Sequence, residues 1–541
     1  MLPSGQFPKR KRRSHARGQS HTRLLEGAEV IDSLSLPLWV AVPVAASAGI
    51  VLDAAFPDRG WWPLAFVGIA LNLAVLIGRR LGAAFLVSFV AGGAFFVAHI
   101  EWASLFLGPL PMIALVVLQA LFSGVGGMAI TLAYRWVPRA STTLPGRLGV
   151  LPITVAGLWV LREAVASTWP YGGFSWGRVS MSQSDSPIAS LFGWLGVSGV
   201  GFAMVLLVAI GVEAFRYRGA LRLRRAFPPI ALAAVMVGLP SWPTPSVGTL
   251  RVAAVQGNGP AGYFDSRAPG DLTAAQLNAT RPLFGERVDV VLWPEGSTDR
   301  SPLTDPYTAG VFDEVSRRMG APFVGWAITE RDDRTYNTEI LWNATDGATD
   351  YYDKKHPVPF GEYVPDRVFW RPFAPDLIDL VQRDYTPGTT DPIFDVGGVL
   401  VGINICFDVV DDRVLRASVL EGATVIFSSS NNADFGRSDQ SAQQLAIARI
   451  RAMELGRSVV NVSTVGLTAA IGPDGEILQQ LPWFTAASLV QDVSLINTVT
   501  PAALFGGQIE FGLSGLAVAL LAGSSIYPAP RRRKFDSVIT V

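Results

Sequence analysis

Hydrophobic positions fall along this chain in two patterns. The first is a series of long, nearly unbroken apolar stretches: Leu36–Leu52, Trp61–Gly78, Leu81–Ala98, Leu110–Ala133, Leu148–Ser167, Pro187–Val212 and the shorter, Pro-bounded Phe227–Trp242, with one more at Phe511–Tyr527. A bilayer crossing needs about 20 apolar residues, so these predict eight membrane helices. The second pattern fills the gap before the last of them. There, short apolar runs alternate with polar, helix-compatible stretches: Leu250–Val255, Val288–Trp293, Phe323–Trp326, Glu339–Trp342, Val399–Ile405, Thr424–Phe427 and Ser458–Val462. Runs rich in β-branched residues and bounded by turn formers read as buried strands. Helices are predicted at Pro306–Met319 and Ser441–Leu455. Strand–helix alternation points to a layered α/β domain. The fold class is therefore a polytopic α-helical membrane domain joined to an α/β domain.

The connections supply an orientation, because loops rich in Lys and Arg stay in the cytoplasm. Basic residues crowd Lys9–Arg23, Arg79-Arg80, the Arg135–Arg147 connection, the Arg216–Arg225 connection and Arg531–Lys534. The intervening loops, 53–60, 99–109 and 169–186, carry fewer. Eight crossings with both termini inside are expected. That divides the chain into a basic cytoplasmic tail (1–35), seven helices (36–242), an extracytoplasmic domain (243–508), an eighth helix (509–527) and a second basic tail (528–541). One miscounted span would put the middle domain in the cytoplasm. The first tail is too long and too charged before its first apolar stretch to resemble a cleavable signal. It is expected to be solvated and to set topology.

Composition sharpens this picture. Half the residues are hydrophobic and 16% are charged, against about 25% charged in soluble chains. Lys+Arg and Asp+Glu both number 44. Positions 251–500 nevertheless hold 33 acidic against 20 basic residues. An acidic middle domain argues against nucleic acid, whose phosphates call for clustered cations. A single cysteine excludes an internal disulfide. With only four histidines as well, a Cys/His zinc site is implausible.

Three residues in the middle domain carry candidate chemistry. Glu295 follows the strand-like Val288–Trp293 and Pro294. Strand ends are where α/β domains build sites, and a buried Glu can serve as a general base. Taken alone, a Glu in this setting is more often a helix cap or an ion-pair residue. Lys354 lies in Tyr351–Pro365, where prolines and a glycine predict a rigid irregular segment able to aim an ammonium at an oxyanion. Alone, Lys354-Lys355 reads as a solvated pair. Cys406, the only cysteine, follows the run Val399–Ile405. It is either a small core hydrophobe or a nucleophile helped by a cation and a base. Of the four histidines only His356 is near these segments, so no Ser-His-Asp arrangement competes.

In this order, Glu295, Lys354 and Cys406 resemble the catalytic set of the nitrilase, or carbon–nitrogen hydrolase, superfamily. The segment Tyr352–Glu362, reading Tyr-x-Lys-x-His-x-Val-Pro-Phe-Gly-Glu, is similar to the signature of the apolipoprotein N-acyltransferase family. So are Gly173-Phe174-Ser175-Trp176, Ser429-Ser430-Asn431-Asn432-Ala433-Asp434-Phe435-Gly436, and a catalytic domain inserted between the last two of eight spans. The resemblance implies a four-layer αββα sandwich. It implies Glu295 as base, Lys354 as oxyanion stabiliser and Cys406 as the nucleophile forming a thioester. Glu362, Phe407 and Asp408 would support the site, and Trp176, Asn431 and Phe435 would meet substrate. The reaction implied moves an acyl group from a phospholipid to the α-amine of a diacylglyceryl-cysteine, with no metal or cofactor. Three departures stand out. Asp408 replaces a Glu, Asp434 replaces a Trp in the expected acyl path, and Pro357 replaces a Leu. Two other readings stay open: a membrane-tethered amidase, and an inactive scaffold for a partner such as a polyprenol-phosphate mannose synthase. Trp370, Phe373, Trp483 and Phe484 are candidates for dipping into the membrane interface.

Overall fold

The computed structural model describes residues 29–30, 36–218 and 222–527. The two basic tails lie outside that range, apart from Glu29–Val30. Eight helices occupy the predicted apolar stretches: α1 (Leu38–Asp53), α2 (Leu64–Leu76), α3 (Leu81–His99), α4 (Pro109–Ala140), α5 (Leu151–Ala166), α6 (Phe192–Arg216), α7 (Arg222–Gly238) and, after the middle domain, α12 (Pro501–Ser525). The helical stretches that include α3, α4, α5, α6 and α12 are long and apolar enough to cross a membrane, and α1 and α2 are shorter apolar helices. The last helix starts ten residues before the predicted apolar stretch, at Pro501, where Thr500 caps it by accepting from the Ala503 N–H. Small residues let these helices approach closely. A Cβ on Gly49 would come within 2.3 Å of the Ala91 carbonyl oxygen. Glu29–Val30 pairs antiparallel with Tyr217–Arg218, bringing the N-terminal segment to the connection after α6.

The middle domain consists of two six-stranded sheets. Its strands are β1 (Ser246–Gln256), β2 (Val290–Leu292), β3 (Phe323–Arg331), β4 (Arg334–Asn343), β5 (Gly347–Asp353), β6 (Ile393–Val396), β7 (Val399–Ile405), β8 (Val425–Ser430), β9 (Ser458–Ser463), β10 (Ala469–Ile471), β11 (Ile477–Gln480) and β12 (Ala487–Ile496). One sheet has the order β12-β1-β2-β3-β4-β5, the other β11-β10-β9-β8-β7-β6. The central strands are parallel, as expected of near-continuous apolar runs buried on both faces. The sheets pack on a shared core that includes Val252, Leu292, Val324, Leu341, Ile403, Ile405, Val425 and Phe427.

Helices cover both outer faces. α8 (Asp271–Thr280) and α9 (Pro306–Met319) lie over the first sheet, where Leu277, Val311, Phe312 and Val315 join Val291, Trp293 and Phe323. α9 begins and ends where predicted. The Asp305 carboxylate caps it by accepting the Thr308 N–H at 2.9 Å, and Gly320 closes it in the left-handed region. α10 (Asp412–Leu420) and α11 (Asp439–Leu455) cover the second sheet, and their apolar residues share one core with the membrane helices. The predicted αββα sandwich is thus present, with one outer layer fused to the helix bundle.

Two predictions need correcting. Tyr351–Asp353 is not irregular: it is the end of β5, paired antiparallel with β4, and the irregular segment begins at Lys354. Strands β5, β6 and β10–β12 were not among the expected runs. Several are short or alternate with polar residues, so the search for solid apolar runs passes over them.

Candidate active site

Strand ends deliver the three candidate residues to one place between the sheets. Glu295 follows β2, Lys354 follows β5 and Cys406 follows β7. The backbone at Cys406 turns sharply from strand into a short helical turn, Cys406–Val410, with φ at 50°. Residues other than Gly, Asn or Asp seldom occupy this region, and such strain clusters at functional sites. Gln444 of α11 donates to the Cys406 carbonyl.

Glu295 is buried and fully engaged. One carboxylate oxygen accepts Asn337 Nδ2 at 2.7 Å and lies 3.7 Å from Lys354 Nζ. The other accepts the Asn431 N–H at 2.9 Å, and the Glu295 N–H donates to Ser429 Oγ at 2.6 Å. Lys354 is also buried, with Nζ 2.9–3.0 Å from the Glu362 carboxylate. Glu362 accepts from Asn337 Nδ2 and from the Val358 N–H. Asn337 of β4 thereby ties both carboxylates together. It was not anticipated from sequence.

The electrostatics suit proton transfer. Burial, with Glu362 adding to it, raises the Glu295 carboxyl above its usual range, against the pull of Lys354 and the Asn337 and Asn431 hydrogen bonds. Burial opposes the charge on Lys354, but the Glu362 and Glu295 carboxylates hold its pKa well above normal. Burial and the facing Glu295 carboxylate push the Cys406 thiol well up, with Lys354 working the other way. The resting pair is a protonated thiol facing a carboxylate of raised basicity, beside a permanent cation. That is what a base-activated nucleophile requires.

The supporting residues fall into two groups. Asp408 is fully buried; it accepts Tyr352 OH at 2.8 Å and the His356 N–H at 3.1 Å. The shorter carboxylate still locks the cysteine turn to the lysine segment. The Asp408 carboxylate, 3.6 Å from His356 Nδ1, and the Asp411 carboxylate, 3.3 Å from Nε2, raise that imidazole's pKa although burial opposes it. Phe407 stacks against Phe174 and lies parallel to Trp176, with centroids 6.0 and 6.3 Å apart. Trp176 is buried and donates to Gln443 Oε1 at 2.7 Å. Phe435 packs edge-on to Trp102. The Asn431 side chain bonds Ala261 and Thr464, so it holds its loop in place and its N–H holds the Glu295 carboxylate. Asp434 accepts the Tyr263 N–H at 2.7 Å, and Tyr263 and Phe264 pack around Phe106. Aromatic surface persists here without the Trp. Of the interface candidates, Phe373 is exposed, Trp370 packs against a small core with Val364, and Arg437 lies over Trp483 and Phe484.

A charged seam fixes the cysteine turn to the helix bundle. Arg178 Nη1 donates to Asp412 at 2.8 Å, and Arg451 Nη2 to the same carboxylate at 2.6 Å. Arg451 also donates to the Val409 and Val410 carbonyls. Glu454 pairs with Arg451 and accepts the Val197 N–H of α6. Glu510 of α12 lies 3.9 Å from Arg178 and accepts from Ser198.

The αββα sandwich with a thiol, an ammonium and a carboxylate meeting at its strand ends, set on apolar helices, defines a membrane-bound relative of the carbon–nitrogen hydrolases. Two family models match in succession: the apolipoprotein N-acyltransferase N-terminal domain over residues 48–210, and carbon-nitrogen hydrolase over residues 251–500. The chain is 33% identical to an apolipoprotein N-acyltransferase of Mycolicibacterium smegmatis, over 95% of this chain and 90% of that protein. It is 30% identical to one of Pseudomonas putida, over 86% and 94%. The chain belongs to the apolipoprotein N-acyltransferase family. Among solved structures, Nit3 of Saccharomyces cerevisiae, a nitrilase-superfamily member, aligns over 53% of this chain and 98% of that one at 16% identity, with a TM-score of 0.34. That likeness adds nothing to the strand order.

Proposed function

We propose that this chain N-acylates lipoproteins, carrying a fatty acyl group from a phospholipid to the α-amine of an N-terminal diacylglyceryl-cysteine through a thioester on Cys406. The observation that carries the residue roles is the convergence of buried Glu295 and Lys354 with half-buried Cys406 at the strand ends between the sheets. Glu295 takes the thiol proton as sulfur attacks the ester carbonyl. The oxyanion forms beside the Lys354 ammonium. As the intermediate collapses, the C–O bond breaks and the lysophospholipid alkoxide leaves with the proton from Glu295. The acceptor amine then attacks the thioester and gives a proton to Glu295, and the departing thiolate takes it back. An amide is more stable than a thioester, so the second half runs downhill. The two substrates use one site in turn, a ping-pong scheme. No step calls for a metal or cofactor.

Both substrates are anchored in lipid, which gives the helices their role. Residues 36–242 and the helix from Pro501 hold the sandwich against the membrane, with residues 243–500 on the outer face of the cell membrane and both basic tails inside. The alternation of basic connections supports this orientation. Phe174 and Trp176, which meet Phe407 beside the nucleophile, also line a cleft with Phe95, Phe96 and Phe122. The names of the relatives favour acyl transfer over amidase action. The intact Glu-Lys-Cys layer favours an enzyme over a scaffold, and no observation supports a mannose synthase partner.

Complementation tests the function. The chain is expected to restore N-acylation, read by mass spectrometry of a lipoprotein N-terminus, in a strain lacking that activity. Failure of the well-expressed, membrane-inserted protein would refute it. For the orientation, an impermeant maleimide should label a cysteine placed at Arg437 in the C406A background on intact cells. Labelling only after lysis would reverse the topology.

A further inference from the structure

One neutral side chain beside the candidate base has a bonding pattern that leaves it a single orientation. Asn337 of β4 is buried. In the antiparallel β3–β4 pair, Trp326 stands opposite Glu339 and Ile328 opposite Asn337. Trp326 and Asn337 are therefore diagonal neighbours on one face of the sheet, close enough for an indole to reach across. The Trp326 indole N–H donates to Asn337 Oδ1 at 2.5 Å. An indole nitrogen can only donate, so the atom it meets is the amide oxygen, and the amide nitrogen points the other way. There Nδ2 donates to Glu295 Oε1 at 2.7 Å and to Glu362 Oε1 at 2.8 Å. An amide nitrogen carries two protons, and each has its own carboxylate. Turning the amide over would set its oxygen against two carboxylates and its NH2 against the indole N–H.

The charged and titratable groups facing Glu295 come from several elements. Lys354 Nζ, at the end of β5, lies 3.7 Å away and is shared with Glu362. Cys406, on the turn after β7, presents its thiol. Glu339 of β4 and Tyr385, in the segment before β6, also feel the charge of Glu295. Two carboxylates thus share one ammonium, and Asn337 is the neutral donor common to both. Burial and Glu362 favour the neutral acid at Glu295, while Lys354, Asn337 and the Asn431 N–H favour the anion.

We propose that Asn337, oriented by Trp326, is a positioning residue for the reaction: it clamps the Glu295 and Glu362 carboxylates around the Lys354 ammonium and keeps Glu295 in the ionised form that can take the thiol proton. This rests on the reading of Glu295 as the base. A hydrogen bond donated to a carboxylate favours the anion over the acid. One to a charged group is worth about one pH unit or more of titration. Its loss raises the proton affinity of Glu295, so the base form persists only at higher pH. The acid limb of the reaction then moves up in pH, and the rate above the limb is spared. A residue that only supported the fold would lower the rate by one factor at every pH.

The test is the pH dependence of acyl-thioester formation by the full chain in detergent micelles with a phospholipid. Each variant is normalised to its own plateau on the alkaline side of the limb. N337L is close in size to the parent residue and removes both donors. Its limb is expected about one unit above the parent's, so that at a pH on the limb it loses about tenfold more than the parent. W326F keeps the amide but frees it to turn, and should move the limb in the same direction by less. If N337L does not fold, W326F decides alone. A limb that stays where the parent's lies, with the rate lowered equally at every pH, overturns the inference. An E295Q variant as fast as the parent would instead overturn the reading of the base.

Discussion

Buried charge is treated in opposite ways at two levels of this molecule. In the seam between helix bundle and sandwich, Arg178, Arg451, Asp412, Glu454 and Glu510 form a chain in which each charge meets one of opposite sign. In the layer between the sheets, the single ammonium of Lys354 is shared by Glu295 and Glu362, and Glu339 and the Cys406 thiol stand close by. A balanced buried network adds little net stability, yet breaking it is costly, so it fixes geometry. An unbalanced one keeps carboxyl and thiol pKa values high, and with them the capacity to move a proton near neutral pH. The seam places the turn that bears Cys406, and the layer sets the proton affinities around its thiol.

Removing the charge of Lys354 is the strongest way to break this contrast. K354Q leaves Glu295 and Glu362 facing each other with no cation and removes the group proposed to stabilise the oxyanion. Thioester formation is expected to fall by about 10²–10³-fold, measured as a single-turnover rate. A loss below tenfold would mean that the layer's imbalance is incidental. R178Q attacks the seam instead. Asp412 keeps only Arg451, and the folded protein should lose about 3 kcal/mol, read as a fall in melting temperature in detergent. Its thioester rate should fall less than that of K354Q. The reverse ranking would assign the chemistry to the seam. The smallest effect is expected from D434N, whose side-chain oxygen still accepts the Tyr263 N–H, with transfer rates within about twofold of the parent. A large change would give this position a role in the acyl path.

The parts readable from sequence share a physical property. Glu295 and Cys406 each end a solid apolar run, and Lys354 sits in a segment stiffened by proline, so one-dimensional pattern marks them. Eight apolar stretches mark eight helices for the same reason, and Asp305 and Gly320 mark both ends of α9. Asn337 and Ser429 left no such mark, because their roles come from pairing across strands and between sheets. A signal was nevertheless present. In the β4 run Asn337-Thr338-Glu339-Ile340-Leu341, two polar residues occupy the alternating positions that Leu341 assigns to the core. Polar side chains at inward positions of a buried strand flag a site. Arg178–Asp412 was out of reach, since it joins residues 234 apart in the chain.

The central claim is that Cys406 carries the acyl group between two lipid substrates. The most direct measurement is intact-protein and peptide mass spectrometry of the purified chain after incubation with phospholipid and no acceptor. One added fatty acyl mass, mapped to Cys406, released by a diacylglyceryl-cysteine peptide and absent in C406A, is the expected result. An acyl group on any other residue, or product formed by C406A at the parent's rate, would contradict it.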